Sequence, residues 1–417
     1  MNPTNKRKIL NDPVYGFINI NSELIFDLLE HPWFQRLRRI RQLGLTNYVY
    51  PGATHTRFQH ALGAVYLMGL AINMIRSKGH EISDEEAEAV TIAILLHDIG
   101  HGPFSHALEF SLIDNYTHED ISNLLMDELN NQFNGRLKLA IDIFRNDYHK
   151  KFLYQLVSGQ LDMDRLDYLK RDSFFTGVSE GVVGSDRIIK MLNVKDDKLV
   201  LEAKGIYSIE QFLIARRLMY WQVYLHKTVL SAENLLVNIL KRAKKLSLEG
   251  HELFATPALQ FFLARKFSKK NLLNSNTELR KNIIENFTLL DDNDIISSTK
   301  VWQNYTDKVL SMLCRNLTNR NLYKIEMQNS VFPEAKVREM RKNVKQKFKL
   351  NDEEVNFFVF SNSITNHTYI PSDNRISILF NDGTTKDISE ASDMLNISVL
   401  SKVVKKYYLC YPKELSG

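Results

Sequence analysis

Histidines are concentrated in one stretch of this chain of 417 residues, where they could bind a metal ion and transfer protons. Seven of the twelve histidines lie within residues 55–118, and residues 97–106 read His-Asp-Ile-Gly-His-Gly-Pro-Phe-Ser-His. Imidazole binds transition metals and titrates near neutral pH, so it suits both roles. Because Cys314 and Cys410 are the only cysteines, a disulfide framework or a Cys-based zinc site is excluded, and histidines and carboxylates must hold any metal.

The His-Asp pair at the start of this run is predicted to be held rigidly. The apolar run Ala93–Leu96 delivers His97 and Asp98 at the end of a buried helix. Gly100 and Gly102 then allow a sharp turn, and the proline that follows prevents an immediate return to helix. We therefore expect the pair at the wall of a cavity, as a metal site requires.

Two further side chains would complete a metal site. His60 belongs to a helix predicted to begin near Arg57, and Asp164 lies in the predicted helix Leu161–Asp172. Two imidazoles and two carboxylates leave coordination positions open, where a divalent cation could lower the pKa of a water and bind a phosphate oxygen. Each residue alone has an ordinary explanation, as a core histidine or a helix-capping carboxylate, so the prediction depends on the joint pattern.

Helices are predicted to form most of the first 245 residues, because their apolar residues recur at helical spacing. Ser83 and Glu86 form a capping box, and Pro32 favours a new helix start. The predicted helices are Ser22–Glu30, Trp33–Leu43, Arg57–Lys78, Ser83–His97, one capped by Thr117, Leu161–Asp172 and Ser208–Leu246.

The pattern changes to strands near the C-terminus. Residues 381–383, Asn-Asp-Gly, are a strong hairpin signal between two strand-like runs. The predicted strands are Val355–Phe360, Arg375–Phe380, Thr385–Ile388 and Tyr407–Tyr411. We therefore predict a mostly α fold: an all-helical core over residues 1–245, a helical extension over 246–329 and a small α/β lobe over 330–417.

Composition narrows the function classes. With 44% hydrophobic and 25% charged residues, the chain is expected to pack into a folded protein. Its longest apolar runs are much shorter than the ~20 residues of a membrane span, and the basic segment Met1–Leu10 precedes no apolar signal core, so no membrane partner and a cytoplasmic location are expected. The net charge of +5 favours anionic ligands.

The ordered motifs resemble a known family. Arg57-Phe58-Gln59-His60, the His97-Asp98 pair and Asp164 follow one another as in the HD-domain superfamily. Longer strings resemble its deoxynucleoside triphosphate triphosphohydrolases, above all the sterile-alpha-motif/HD-domain branch and its bacterial relatives. The resemblance is close over residues 8–245 and looser over 246–330. The longer strings that carry this resemblance are Phe34–Arg38, Tyr50–His60, His97–His106, Thr117–Glu119 and Asp162–Asp172.

The resemblance implies an all-helical HD core that hydrolyses a deoxynucleoside triphosphate to deoxynucleoside and inorganic triphosphate. It implies iron, manganese or zinc at the HD site, and magnesium with the nucleotide. The metal ligands would be His60, His97, Asp98 and Asp164. The catalytic group would be His101, His106, Glu109, His118 and Glu119, with His106 protonating the leaving 5′-oxygen and Glu109 orienting it.

The same resemblance implies two nucleotide sites and an oligomer. A guanine nucleotide would bind between subunits and activate a dimer or tetramer. The substrate would be contacted by Gln42, Arg57, Arg165, Tyr168, Asp172, Arg216 and Tyr224, where the three arginines clamp phosphates and Tyr168 excludes a 2′-hydroxyl. The activator would be contacted by Lys8, Ile9, Asn11, Glu30, Gln35, Arg38 and Arg187.

Two alternatives stay open at this stage. One is an HD phosphohydrolase with another nucleotide substrate, such as a nucleoside monophosphate or guanosine tetraphosphate. The other is a nucleic-acid-binding HD protein or nuclease, which the basic segments Lys241–Lys245, Lys266–Lys270 and Lys336–Lys349 permit, although solvated helix faces explain them more simply.

Overall fold

Helices dominate the computed structural model, which describes residues 8–104, 117–267, 278–366, 369, 375–393 and 404–415. The helices are α1 (Glu23–Glu30), α2 (Pro32–Gln35), α3 (Arg57–Ser77), α4 (Asp84–Leu96), α5 (His118–Gln132), α6 (Lys138–Phe144), α7 (Lys151–Val157), α8 (Met163–Thr176), α9 (Ser185–Met191), α10 (Ile206–Met219), α11 (Lys227–Leu248), α12 (Pro257–Leu263), α13 (Glu278–Leu289), α14 (Asp292–Trp302), α15 (Lys308–Thr318), α16 (Glu334–Phe348) and α17 (Ile388–Ala391).

Nine short strands form three small sheets within the described residues. The strands are β1 (Lys8–Asp12), β2 (Gly16–Ile20), β3 (Leu192–Lys195), β4 (Lys198–Glu202), β5 (Lys324–Gln328), β6 (Phe360–Asn366), β7 (Ser377–Leu379), β8 (Thr385–Asp387) and β9 (Val404–Tyr411). The sheet orders are β1-β2, β3-β4-β7-β8 and β5-β9-β6. The predicted mostly α fold with a small α/β C-terminal lobe is confirmed.

The central helix α3 lies between α4 and α8 and carries His60. By length and composition α3 could cross a membrane, but 67% of its most apolar window is buried inside the fold. Burial of that kind is typical of the core helix of a folded domain. The predicted capping box opens α4: Glu86 N–H donates to Ser83 Oγ, and Ser83 N–H donates to a Glu86 carboxylate oxygen.

Two hairpins inside the first 245 residues were not predicted. In the first, β1 pairs antiparallel with β2, from Lys8 opposite Ile20 to Asp12 opposite Gly16. In the second, β3 pairs with β4, and β4 then pairs in parallel with β7 from the C-terminal lobe. The lobe therefore extends a core sheet. The predicted Asp-Gly hairpin is confirmed, since β7 and β8 pair antiparallel around Gly383, whose φ is 82°.

Three predicted elements differ from the structure. The helix predicted over Trp33–Leu43 gives way to a 3-10 turn after α2, since Arg41 N–H donates to the Asp292 carboxylate. The helix over Ser208–Leu246 is interrupted by a π turn at Tyr220–Tyr224. The first half of the strand predicted at Val355–Phe360 belongs to a 3-10 turn, and Asn351 Oδ1 caps the start of this turn by accepting two backbone N–H bonds.

A fully buried arginine joins the helical extension to the core. Arg36 donates to the carbonyl oxygens of Ile99 and His101 at 2.8 and 3.0 Å, and to that of Leu290 at 3.1 Å. A guanidinium is the only side chain with enough fixed donors to bridge such separated carbonyls. The loop after His97 therefore depends on the extension for its position.

Stability is expected to depend on pH through Glu233 of α11. Burial raises the pKa of its carboxyl from 4.5 to about 7. The folded state then binds more protons than the unfolded state between these values, so its stability falls as pH rises through that window. From pH 5 to pH 8, the wild-type free energy of unfolding should fall by about 1–3 kcal/mol relative to Glu233→Gln.

Urea unfolding at both pH values measures this difference. The matched control is Glu252→Gln at a solvent-exposed glutamate, which should follow the wild type. An identical pH dependence of wild type and Glu233→Gln would contradict the assignment.

Candidate metal centre and active site

Two histidines and one aspartate converge on a single point between α3, α4 and α8. One ligand atom each from His60, His97 and Asp164 lie within 4.8 Å of one another. Asp164 Oδ1 is 3.0 Å from His60 Nε2 and 3.5 Å from His97 Nε2. The fourth predicted ligand, Asp98, is adjacent, with its oxygens 3.2 Å from His97 Nε2 and 3.8 Å from His60 Nε2.

The tautomers of both histidines follow from their outer contacts. His60 Nδ1 lies 2.7 Å from Asp167 Oδ2, and His97 Nδ1 lies 2.6 Å from the Ile94 carbonyl oxygen. Carboxylates and carbonyls only accept, so each Nδ1 carries a proton, and in the neutral imidazole each Nε2 has a lone pair that faces the centre. Both Nε2 atoms are buried without a hydrogen-bond partner. Orphaned lone pairs facing carboxylates fit a divalent cation.

Neighbouring charges shift the pKa values of the ligand side chains at this centre. Burial opposes the charged form of His60, yet the carboxylates of Asp164 and Asp167 raise its pKa to about 10. The imidazoles hold the pKa of Asp164 well below its usual range despite burial. A group of buried carboxylates thus demands positive charge, which a proton supplies in the absence of a metal.

Asp98 is shared between the centre and two further neighbours, Arg57 and His101. Arg57 Nη1 donates to Asp98 Oδ2 at 2.6 Å, and His101 Nε2 lies 3.1 Å from Asp98 Oδ1. His101 stacks on His118, with ring centroids 3.9 Å apart. Burial, followed by the charge of Arg57, lowers the pKa of His101 well below its usual value, so a neutral imidazole is favoured there.

Gly100 allows His101 and His118 to approach each other. A Cβ at Gly100 would lie 2.3 Å from the His118 carbonyl oxygen and 2.3 Å from the Ser122 nitrogen, so only glycine fits against α5. Gly100 was predicted to permit a sharp turn. In the structure, its close contact with α5 is what requires glycine there. Glu119 begins α5 with an exposed side chain. His106 and Glu109 lie outside the described residues.

A second cluster contains three residues that were predicted to contact the substrate. Tyr224 donates to Asp172 Oδ2 at 2.8 Å, and the rings of Tyr168 and Tyr224 meet edge to face at 6.2 Å. The sequence analysis missed His55, whose Nε2 lies 2.7 Å from Asp172 Oδ1 and whose ring stacks on Phe175. Its place in the string Tyr50–His60 was the available signal.

Three arginines predicted to bind phosphate are held by different partners. Arg57 binds Asp98, Arg165 donates to Asp162, and Arg216 donates to Gln160 Oε1 at 3.3 Å. In each of them the Nε atom is buried without a hydrogen-bond partner, as is Oε1 of Gln42. Guanidinium groups are suited to bind anionic oxygens, so these three arginines could contact an anionic ligand.

The residues predicted to bind an activator fall into three groups. Lys8 pairs with Glu30, and Ile9 and Asn11 lie on the same strand, β1. Arg38 donates to Gln35 Oε1 at 2.7 Å and lies 3.6 Å above the Phe58 ring. Arg187 lies on α9, where it donates to the Lys204 carbonyl oxygen. The described contacts do not join Arg187 to the other two groups.

The helical core and its His/Asp centre have the arrangement expected of an HD-domain phosphohydrolase. Family comparison agrees: the sequence matches the HD domain over residues 57–171 and the HD associated region over residues 183–258. A solved structure, that of a phosphohydrolase from Bacteroides thetaiotaomicron, is 57% identical with a TM-score of 0.93, covering 97% of this chain and 99% of that one.

Two relatives extend the comparison. Protein YwfO of Bacillus subtilis is 35% identical over 325 residues, covering 76% of this chain and 71% of that protein. The deoxynucleoside triphosphate triphosphohydrolase SAMHD1 homolog of Dictyostelium discoideum is 31% identical over 320 residues, covering 70% of this chain but only 62% of that protein. The chain therefore belongs to the HD-domain phosphohydrolase family.

Removal of one imidazole tests the metal centre. His97→Ala should weaken Mn²⁺ binding by at least the roughly 10–100-fold that loss of even an outer-shell partner costs, because the Nε2 lone pair is lost. Calorimetric titration of the metal-free protein measures the affinity. His251→Ala at an exposed histidine is the matched control and should bind like the wild type. Equal affinity in both variants would refute the site.

Proposed function

We propose that this enzyme hydrolyses deoxynucleoside triphosphates to deoxynucleoside and inorganic triphosphate. The observation that carries the proposal is a set of three arginines around the His/Asp centre: Arg57 donates to Asp98, Arg165 follows Asp164 in α8, and Arg216 is buried. A triphosphate carries several negative charges, and fixed guanidinium donors can offset them without a large reorganisation of the site. The name of the Dictyostelium relative agrees with this substrate class.

The reaction breaks the bond between the α-phosphorus and the 5′-oxygen. Water supplies the new oxygen on the α-phosphorus, and the leaving 5′-oxygen takes a proton from a histidine, for which we propose His106. Arg57, Arg165 and Arg216 bind the phosphate oxygens as charge moves onto the triphosphate.

The proposed metal ligands are His60, His97, Asp98 and Asp164. A divalent cation bound there, whether iron, manganese or zinc, would polarise a phosphate oxygen and make water more acidic. Magnesium is proposed to accompany the nucleotide. The outer contacts of His60 and His97 fix the ring orientations before any ligand arrives.

The Tyr168, Asp172 and Tyr224 cluster is proposed to bind the sugar. Asp172 would accept a hydrogen bond from the 3′-hydroxyl, since its two oxygens are already oriented by His55 and Tyr224. The Tyr168 ring would fill the space that a 2′-hydroxyl needs, which selects deoxyribose over ribose. Gln42, with its buried unsatisfied Oε1, is proposed as a further contact.

Regulation by a guanine nucleotide is proposed at the hairpin β1–β2 and the segment after α1. Lys8 and Glu30 present opposite charges there, and Arg38 lies close to Gln35. Arg187 would have to come from another subunit, which fits a dimer or tetramer.

Product analysis tests the reaction. Incubation with each dNTP and Mn²⁺, followed by ion-exchange chromatography, should yield equimolar deoxynucleoside and inorganic triphosphate. Release of pyrophosphate or orthophosphate would instead indicate an HD phosphohydrolase with another cleavage position. Binding of single-stranded DNA without dNTP turnover would favour a nucleic-acid-binding protein.

The sugar contact makes a separate prediction. Tyr168→Ala should lower the ratio of kcat/KM for dATP to that for ATP by about tenfold, equivalent to ~1.4 kcal/mol, because the 2′-hydroxyl would then fit. Tyr207→Ala, at a tyrosine exposed on α10, is the control and should keep the ratio. An unchanged ratio in Tyr168→Ala would remove Tyr168 from sugar selection.

Activation is measured by adding dGTP to assays of each other dNTP while light scattering reports the assembly state. The proposal expects dGTP to stimulate turnover and to increase assembly size. Lys8→Ala should weaken the stimulation, because Lys8 would contact the nucleotide. Turnover independent of every added nucleotide would rule out this form of regulation.

A further inference from the structure

A continuous line of buried charged groups runs from the N-terminal hairpin to the metal centre. Asp12, at the end of β1, accepts from Arg171 Nη1 at 2.7 Å. Arg171 Nε and Nη2 donate to the two oxygens of Asp167 at 2.9 and 3.0 Å. Asp167 Oδ2 lies 2.7 Å from His60 Nδ1. All four side chains are buried, so solvent screens these interactions little.

Asp12 controls the conformation of the hairpin as well as the position of Arg171. Its Oδ1 accepts the backbone N–H groups of Val14 and Tyr15 at 2.9 and 3.0 Å, which shapes the turn between β1 and β2. The Tyr15 ring stacks on Tyr66 of α3, with centroids 4.9 Å apart. The turn is thus fixed to α3 and α8 together, and Asp12 joins both sets of contacts.

The Asp167–Arg171 pair lies directly against α3, the helix that carries His60. A Cβ at Gly63 would be 1.9 Å from Asp167 Oδ1 and 2.2 Å from Arg171 Nη2. Gly63 is three residues after His60 and so shares its face of α3. Any shift of the Asp167–Arg171 pair therefore moves the partner that orients the His60 ring.

We propose that Asp12 is a positioning residue for the metal centre, acting through Arg171 and Asp167 on His60. Docking of the hairpin and binding of a divalent cation then stabilise each other, because each requires the same arrangement of Arg171 and Asp167. Thermodynamic linkage makes the effect reciprocal. A change that loosens the hairpin weakens binding of the cation, and a bound cation stabilises the hairpin. The inference needs the metal ligands proposed above but not the dNTP substrate.

The first test is Asp12→Asn, which retains an oxygen for the turn but removes the charge that holds Arg171. Mn²⁺ titrated into the metal-free protein should bind about tenfold more weakly, at the lower end of what outer-shell changes cost. The matched control is Asp382→Asn, since Asp382 also accepts a backbone N–H in a hairpin turn, between β7 and β8. Its Mn²⁺ affinity should equal that of the wild type.

A double-mutant cycle separates positioning from general destabilisation. If Asp12 acts through Arg171, Asp12→Asn should have little further effect on Mn²⁺ affinity in an Arg171→Met background. Additive effects on the affinity would overturn the proposed route.

Hydrogen exchange on the wild type covers the case in which the variants fail to fold. Mn²⁺ should slow exchange of the amides of β1 and β2, whereas the β7–β8 hairpin should be unaffected. Exchange of β1 and β2 that does not depend on Mn²⁺ would overturn the inference. Wild-type protein that shows this protection but hydrolyses no dNTP would refute only the proposed function.

Discussion

Two imidazole lone pairs and two carboxylates are directed at one buried point, and the rest of the structure serves to keep them there. Neither His60 Nε2 nor His97 Nε2 has a hydrogen-bond partner, and the Asp164 and Asp98 oxygens lie 3.0–3.8 Å from His60 Nε2. Buried carboxylates at such separations are stable only with positive charge between or beside them. A divalent cation bound at the centre would supply this charge.

Hydrogen bonds from residues around the centre hold its ligand side chains in position. Asp167 and the Ile94 carbonyl fix the two imidazoles, while Arg57 and Arg36 hold Asp98 and the following loop from opposite sides. Arg36 also contacts the helical extension, and the β4–β7 pairing ties the C-terminal lobe to the core. The three predicted regions are therefore interdependent, which sequence composition alone did not indicate.

Local signals in the sequence predicted the long helices and the convergence of the candidate metal ligands that these helices carry. The Ser83 capping box and the apolar run before His97 were sufficient for α4, and the ordered motifs anticipated that His60, the His97-Asp98 pair and Asp164 would meet. The hairpins β1–β2 and β3–β4 escaped prediction because their stability comes from contacts with α3 and β7. Short strands of this kind carry too few residues for a periodic pattern.

Positions fixed by distant partners were also beyond sequence analysis. His55 contacts Asp172 across 117 residues, and Arg36 contacts Leu290 across 254, so neither role can be derived from spacing. The predicted helix over Trp33–Leu43 was wrong for the same reason, since Asp292 binds the backbone of Arg41.

Anomalous scattering from a crystal soaked in Mn²⁺ tests the central claim most directly. The account predicts one strong peak within about 2.0–2.3 Å of His60 Nε2, His97 Nε2 and an Asp164 oxygen. Diffraction that shows no peak among these atoms, or shows Mn²⁺ bound only elsewhere on the chain, would contradict it.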